Sequence, residues 1–334
     1  MPVNPPPARK RVLVTGATGF IGRALVPALI EQGYDVRAAT RTPTVAQRAA
    51  THVEWVQCDV ERAGDLDRVL RDVDAVFFLV HAMGQGARDY AATELRVAEQ
   101  VRDAAARAGV ERMVYLGGVA PSDGPRKVSA HLRSRLRVGE TLRSGKVPVL
   151  ELRASMIVGA ESASWQIVRD LALRLPAMLL PSWTASRTRP LALQDAVVAL
   201  VRGLTLPLPH SAWYDIPGPD VVSGREILST IAALRGRRVP SVRVPLLSVS
   251  LSSWWLKLVT RADFSLAREL VLGFEGDLLP EDARYWEEID YQPQWSFEAA
   301  ARQALESEAF RPTLRGFAGS LEEAMVQLVS PKLK

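Results

Sequence analysis

A chain of 334 residues can hold one well-buried core with a smaller lobe, and is too short for three full domains. Its 48% hydrophobic and 24% charged residues are the balance of a soluble globular protein. The 42 Lys and Arg against 37 Asp and Glu leave a net charge of +5 spread along the chain, with no basic stripe interleaved with aromatics; this excludes a nucleic-acid partner and suits an anionic small molecule.

Residues 1–10 are proline-rich and lack the apolar centre of a signal peptide, so residues 1–9 are expected to form a disordered tail. A short apolar run, Val12, Leu13 and Val14, then ends in Thr15 and three glycines, and an apolar helix pattern follows at once. Gly16 allows a sharp turn, Gly19 lets a diphosphate approach the backbone, and Gly22 lets helix and strand pack closely. Amides around Thr18, Phe20 and Ile21 would face that anion, assisted by the helix dipole. The spacing is G-x-x-G-x-x-G, so the flanking strand and helix carry the assignment to dinucleotide binding.

Further strands are expected at 36–40, 53–58, 75–80, 113–116 and 149–152. Helical patterns separate them, notably 90–108, where Ala91, Leu95, Ala98, Val101 and Ala105 share one face. Short Val/Leu-rich strands alternating with helices read as an α/β fold, a Rossmann-type doubly wound parallel sheet covered on both sides. Ligands of such sheets bind at the carboxyl edge. The regular alternation ends near residues 159–180. Residues 10–160 are therefore expected to form the dinucleotide-binding domain, its sheet completed by later segments. Residues 161–334 would form a smaller, mostly helical substrate lobe interleaved with the sheet edge.

Dehydrogenase folds choose their dinucleotide at the end of the second strand, where an acid bonds the ribose 2′-hydroxyl and an arginine accommodates a 2′-phosphate. The segment Asp35-Val-Arg-Ala-Ala-Thr-Arg41 carries no acid at its carboxyl end, and Asp35 sits at the opposite end. Arg41 therefore points to NADP(H) over NAD(H), with an ordinary loop arginine as the competing reading; Arg37 is expected to face solvent. The single cysteine, Cys58, rules out an intramolecular disulfide and fits a reducing, cytoplasmic compartment, as an inert buried thiol. No stretch reaches the ~18–20 apolar residues of a spanning helix. Residues 244–259 come nearest, interrupted by four serines and Lys257. They read as a helix roofing the substrate cleft or, through Trp254 and Trp255, as a membrane-surface or partner-binding helix.

The motifs Thr15 to Gly22, Cys58-Asp59-Val60, Leu79-Val80-His81-Ala82-Met83, Tyr115-Leu116-Gly117-Gly118, His131 to Arg135 and Glu151 to Gly159 resemble the short-chain dehydrogenase/reductase superfamily. Arg189-Pro190-Leu191, Asp215-Ile216-Pro217-Gly218-Pro219 and residues 244–273 extend the likeness over nearly the whole chain. It is closest to the atypical branch with NmrA-like and epimerase-like members, and to the bacterial YbjT-like NAD(P)-binding proteins within it. This resemblance is specific for fold and cofactor and nearly silent on substrate. It implies that Asp59 and the Val60 amide hold the adenine, a helix N-cap being the competing role for Asp59. Val80, His81 and Ala82 would line the ribose, and Gly117 and Met156 complete the expected cofactor set.

The superfamily's Tyr-x-x-x-Lys pair is replaced here by His131-Leu-Arg-Ser-Arg135, and its serine after the fifth strand by Gly117-Gly118. Positions 131 and 135 still share a helical face. Arg135 can hold the nicotinamide ribose or a phosphate but cannot act as a base. His131 can pass a proton near neutral pH. His81 is a second catalytic candidate, with a structural strand-end histidine as its alternative. Met83, Gly118, His131, Arg153, Trp165 and Arg187 are the expected substrate contacts, and no metal site is expected. Arg153, Arg187 and Arg189 would converge on an anionic or carbonyl-bearing ligand, or else pair on the surface with carboxylates such as Glu151 or Asp195. Asp195 suits a helix start, and Tyr90 and Glu94 read as packing and solvation.

These residues lead to an NADP(H)-dependent oxidoreductase, a monomer or homodimer, acting on a small apolar carbonyl, alcohol or enone compound. Two alternatives stay open: a catalytically silent NAD(P)-binding redox sensor or assembly protein, and a peripheral membrane enzyme acting on lipid or quinone.

Overall fold

A computed structural model of the chain describes residues 10–44, 52–80, 90–120, 129–174, 178–180, 182–237, 241–243 and 276–309. The tail at 1–9, His81, Ala82, Met83 and the stretch 244–259 lie outside these described residues. Seven strands form one sheet: β1 Arg11–Thr15, β2 Asp35–Thr40, β3 Glu54–Gln57, β4 Ala75–Phe78, β5 Arg112–Gly118, β6 Val149–Ala154 and β7 Ala212–Asp215. They run in the order β7-β6-β5-β4-β1-β2-β3, and every neighbouring pair is parallel. Strand direction does not alternate, so each crossover must return along a face of the sheet, and helices cover both faces.

The alternation of side chains along each strand fixes which layer each residue joins. Val12 and Val14 of β1, Val114 and Leu116 of β5, and Leu150 and Leu152 of β6 point into one core. That core is closed by α1 Phe20–Glu31 and a later helix over Leu193–Gly203, through Leu25, Leu29, Ala196 and Leu200. Leu13, Met113, Tyr115 and Val149 point the other way. They meet α2 Ala63–Val69, α3 Tyr90–Ala108 and α4 Ala130–Arg143. The third and fourth strands are shorter than the apolar runs implied, and the fifth and sixth longer. Helix α3 spans its expected range.

A third core gathers after β6, where α5 Ala163–Arg174 meets two later helices, Gly224–Leu234 and Phe297–Ala309. With Leu193–Gly203 counted as α6 and Gly224–Leu234 as α7, Arg284–Glu288 forms α8 and Phe297–Ala309 forms α9. Among the described residues no helix is long and apolar enough to cross a membrane.

Asp195 does more than complement a helix dipole. Its side chain is completely buried. It accepts hydrogen bonds from the Tyr291 hydroxyl (2.6 Å) and the backbone N–H groups of Gln294 (3.1 Å) and Trp295 (3.2 Å). It thereby ties the approach to α9 onto α6. Asp195→Ala should leave these donors without an acceptor and cost about 2–4 kcal/mol of stability, with Asp195→Asn losing less. Urea denaturation measures this; a loss below about 1 kcal/mol would show that the knot is dispensable.

Candidate functional site

The turn between β1 and α1 has almost no free space. Gly16 has φ +70°, and a β-carbon there would approach the Leu79 carbonyl oxygen to 3.0 Å. A β-carbon at Gly22 would sit 2.4 Å from the Gly16 carbonyl oxygen and 2.7 Å from the Ala17 Cα. The Gly19 N–H donates to the Gly16 carbonyl at 2.9 Å, closing the turn. The Thr15 hydroxyl donates to the Phe77 carbonyl (3.0 Å) and accepts from the Leu79 N–H (3.2 Å), so β1 and β4 end in register beneath it. The Arg23 Nε donates to the Thr18 carbonyl (2.7 Å), and its guanidinium pairs with Glu161 at 3.2 Å. No side chain caps α1, and its first turn holds no acid. The helix start is thus left electropositive over a cleft of ≈ 500 Å³.

Thr18, Gly19, Phe20 and Ile21 line this cleft. On the side of β2 and β3 its walls are Thr40, Arg41, Asp59 and Val60, and on the side of β4 they are Val80, Glu94 and Arg135. Arg41 is exposed, and among the described residues no carboxylate pairs with it. Asp35, at the far end of β2, is held by Arg11 at 2.7 Å. Asp59 does not cap a helix: α2 starts at Ala63 with Arg62 as N-cap. Instead the Asp59 Oδ1 accepts from the Glu61 N–H (3.2 Å), and its own N–H donates to Asp65 (2.9 Å). That amide holds the Asp65 carboxyl below its usual range. Burial pushes the Cys58 thiol up to about 12, which makes it a poor nucleophile. Arg37 does not face solvent. It donates to the carbonyls of Val69 (2.9 Å) and Arg71 (2.8 Å) and pairs with Glu54 at 2.9 Å.

Arg135 is 9% exposed, and its guanidinium lies over the Tyr115 ring, 4.8 Å from the centroid. Among the described residues it has no carboxylate partner, so a cation is presented to the cleft at the sheet edge. His131, one turn earlier on α4, is half-buried and lies outside the residues that wall the cleft. A β-carbon at Gly118 would meet Leu132 Cδ1 at 2.7 Å, so a leucine closes the space that the missing serine would need. At Gly117 a β-carbon would meet Glu151 Oε1 at 2.9 Å; this glycine makes room for a buried carboxylate and does not wall the cleft.

Glu151 is completely buried between Arg143 (2.8 Å) and Arg153 (2.9 Å), not paired on the surface. Arg153 also stacks on Trp213 at 4.1 Å. The three arginines do not gather over a ligand. Arg187 forks onto Asp277 (2.6 Å), and Arg189 donates to the carbonyls of Gly218 (2.8 Å) and Pro219 (3.3 Å). Trp165 is fully buried in the third core, where its Nε1–H donates to Glu308 at 3.1 Å, so it is a packing residue rather than a substrate contact. Met156 packs in the same core instead of the cofactor cleft.

Glu94 is the residue missed by reading it as solvated. It is 7% exposed, lines the cleft, and accepts from the Ser134 hydroxyl at 2.5 Å. Its signal was positional: it precedes Val97, Ala98 and Val101 on the buried stripe of α3 at helical spacing.

Residues 16–174 match the family described as NAD(P)H-binding. The chain is 28% identical over 233 residues to the (4-alkanoyl-5-oxo-2,5-dihydrofuran-3-yl)methyl phosphate reductase of Streptomyces griseus, covering 68% of this chain and 74% of that protein. It is 28% identical over 285 residues to the ceramide reductase of Caulobacter vibrioides, covering 79% and 85% respectively. The solved UDP-glucuronic acid 4-epimerase of Bacillus cereus in complex with NAD superposes with a TM-score of 0.67 at 16% identity, over 89% of this chain and 97% of that one. The last likeness establishes shared fold alone.

On the edge strand β7, burial lifts the Asp215 carboxyl from 3.8 to about 6, opposed by the Glu281 N–H (2.7 Å) and by Arg153. The folded state therefore binds the proton more tightly than the unfolded chain, and the stability this adds at low pH is lost as pH rises from about 4 through 6. Asp215→Asn should gain melting temperature relative to the unsubstituted protein between about pH 4.5 and 7; a pH-independent difference would contradict this placement.

Proposed function

We propose that this chain, whose residues 16–174 match an NAD(P)H-binding family, is an NADP(H)-dependent reductase of the atypical short-chain dehydrogenase/reductase type, acting on a small apolar carbonyl or enone compound. The observation that carries the reading is the glycine turn, where a β-carbon at position 22 would lie 2.4 Å from the Gly16 oxygen, opening beside the exposed Arg41. A diphosphate fits an uncapped, acid-free helix start. A 2′-phosphate fits Arg41, with no acid at that end of β2 to repel it. Asp59 and the Val60 amide receive the adenine, and Val80 lines the ribose. Both reductase relatives favour this direction of reaction by their names.

A nicotinamide bound here supplies the hydride. This chain's residues orient and protonate. Arg135, held over Tyr115, grips the ribose or a phosphate in the lysine's place. His131, four residues earlier on the same helical face, delivers the proton to the substrate oxygen or carbon in the tyrosine's place. Leu132 over Gly118 gives this end of the site an apolar floor. The same closure also favours a second reading, a dinucleotide sensor or accessory protein without turnover, because no hydroxyl stands at 118 to share the proton.

Two outcomes test these roles. Arg41→Ala should weaken NADPH about tenfold to a hundredfold in a fluorescence titration while leaving NADH within about twofold. Equal losses for both would remove the 2′-phosphate from Arg41. His131→Ala should keep NADPH affinity and lower turnover of a responsive aldehyde, ketone or enone about a hundredfold or more. Undiminished turnover would take His131 out of the mechanism, and no turnover by the unsubstituted protein across such a panel would favour the sensor.

A further inference from the structure

We propose that Glu94 is a positioning residue that sets the Arg135 guanidinium for the nicotinamide half of the dinucleotide, an inference that rests on the dinucleotide reading above. Glu94 stands on α3, in the wall of the cleft, and reaches across to α4. There its Oε2 accepts from the Ser134 hydroxyl at 2.5 Å. Ser134 directly precedes Arg135, whose carbonyl accepts from the Tyr115 hydroxyl at 3.1 Å and whose guanidinium lies over the same ring. The turn of α4 that carries the cation is therefore pinned from two directions, by a carboxylate of α3 and by a phenol of β5.

Packing alone does not call for an acid at this position. The next residues on the stripe, Val97, Ala98 and Val101, are apolar, and burying a carboxylate costs several kcal/mol unless hydrogen bonds offset it. What the acid adds is direction. A hydroxyl held by a carboxyl oxygen fixes the helix turn more tightly than apolar contact can, and small misplacements of a ligand-gripping group carry large penalties. The topology separates the two halves of the cleft: Arg41 and Asp59 lie beyond β1 toward β3, whereas Glu94 and Arg135 lie on the β4–β5 side. Loss of the Glu94 contact should then be felt by the whole dinucleotide and not by its adenosine half.

The test is a calorimetric titration of the full chain with NADPH and, separately, with adenosine 2′,5′-bisphosphate. Glu94→Ala and Ser134→Ala should each weaken NADPH about tenfold, the loss of one buried hydrogen bond, and leave the bisphosphate within about twofold. The double variant should be no weaker than either single one, and Glu94→Gln, which keeps an acceptor oxygen for Ser134, should recover most of the affinity. Three results would overturn the inference alone: NADPH affinity unchanged in both alanine variants, equal losses for NADPH and bisphosphate, or no rescue by glutamine. An unsubstituted protein that binds neither NADPH nor NADH would overturn the dinucleotide reading itself, and this inference with it.

Discussion

Helix α1 begins so close to the end of β1 that the Gly16 carbonyl leaves no room for a side chain at position 22. That contact brings the positive end of a helix to the carboxyl edge of the sheet, at β1, where the strand order reverses between β4 and β2. Thr15 secures it from below by bonding both Phe77 and Leu79, so the fourth strand ends where the cleft opens. Arg23 secures it from above through the Thr18 carbonyl and Glu161. Displace α1 outward and the cleft loses its floor, its amide donors and its spacing from Arg41 together.

Buried charge does the remaining positioning. Glu151 between two arginines, Asp195 beneath three donors and Glu94 against Ser134 are each removed from solvent at some energetic cost; Glu151 ties the end of α4 to β6, and Asp195 and Glu94 join segments distant in sequence. Arg153, stacked on Trp213 and ion-paired within the sheet, braces β6 against β7. Arg135 is different, because no described carboxylate takes its charge and it faces the cleft.

The sheet was legible because its signals are local. Apolar runs of four to six residues and the glycine spacing are short-range patterns, and they placed the first six strands to within a few residues. Thr18 to Ile21, Arg41, Asp59, Val60 and Val80 wall the cleft because they follow strand ends or the turn, positions that topology alone directs to one edge, and Arg135 joins them from α4. What could not be read were roles set by distant partners. Arg187 is claimed by Asp277, 90 residues away, and Trp165 by Glu308, 143 residues away. Gly117 and Gly118 gave up a serine, but only the packed structure says what filled the space, a carboxylate at one and Leu132 at the other. Glu94 was misplaced because a charged residue on an apolar stripe was given the usual solvated role.

The central claim is that this edge of the sheet grips a dinucleotide, diphosphate on the glycine turn and nicotinamide toward Arg135. A crystal structure of the protein with NADPH tests it most directly. The account predicts the diphosphate against the amides of residues 18–20, the 2′-phosphate within ion-pair distance of the Arg41 guanidinium, and the nicotinamide ribose on the Arg135 side of the cleft. A dinucleotide bound elsewhere, or one running in the reverse direction with its adenine at Arg135, would contradict it.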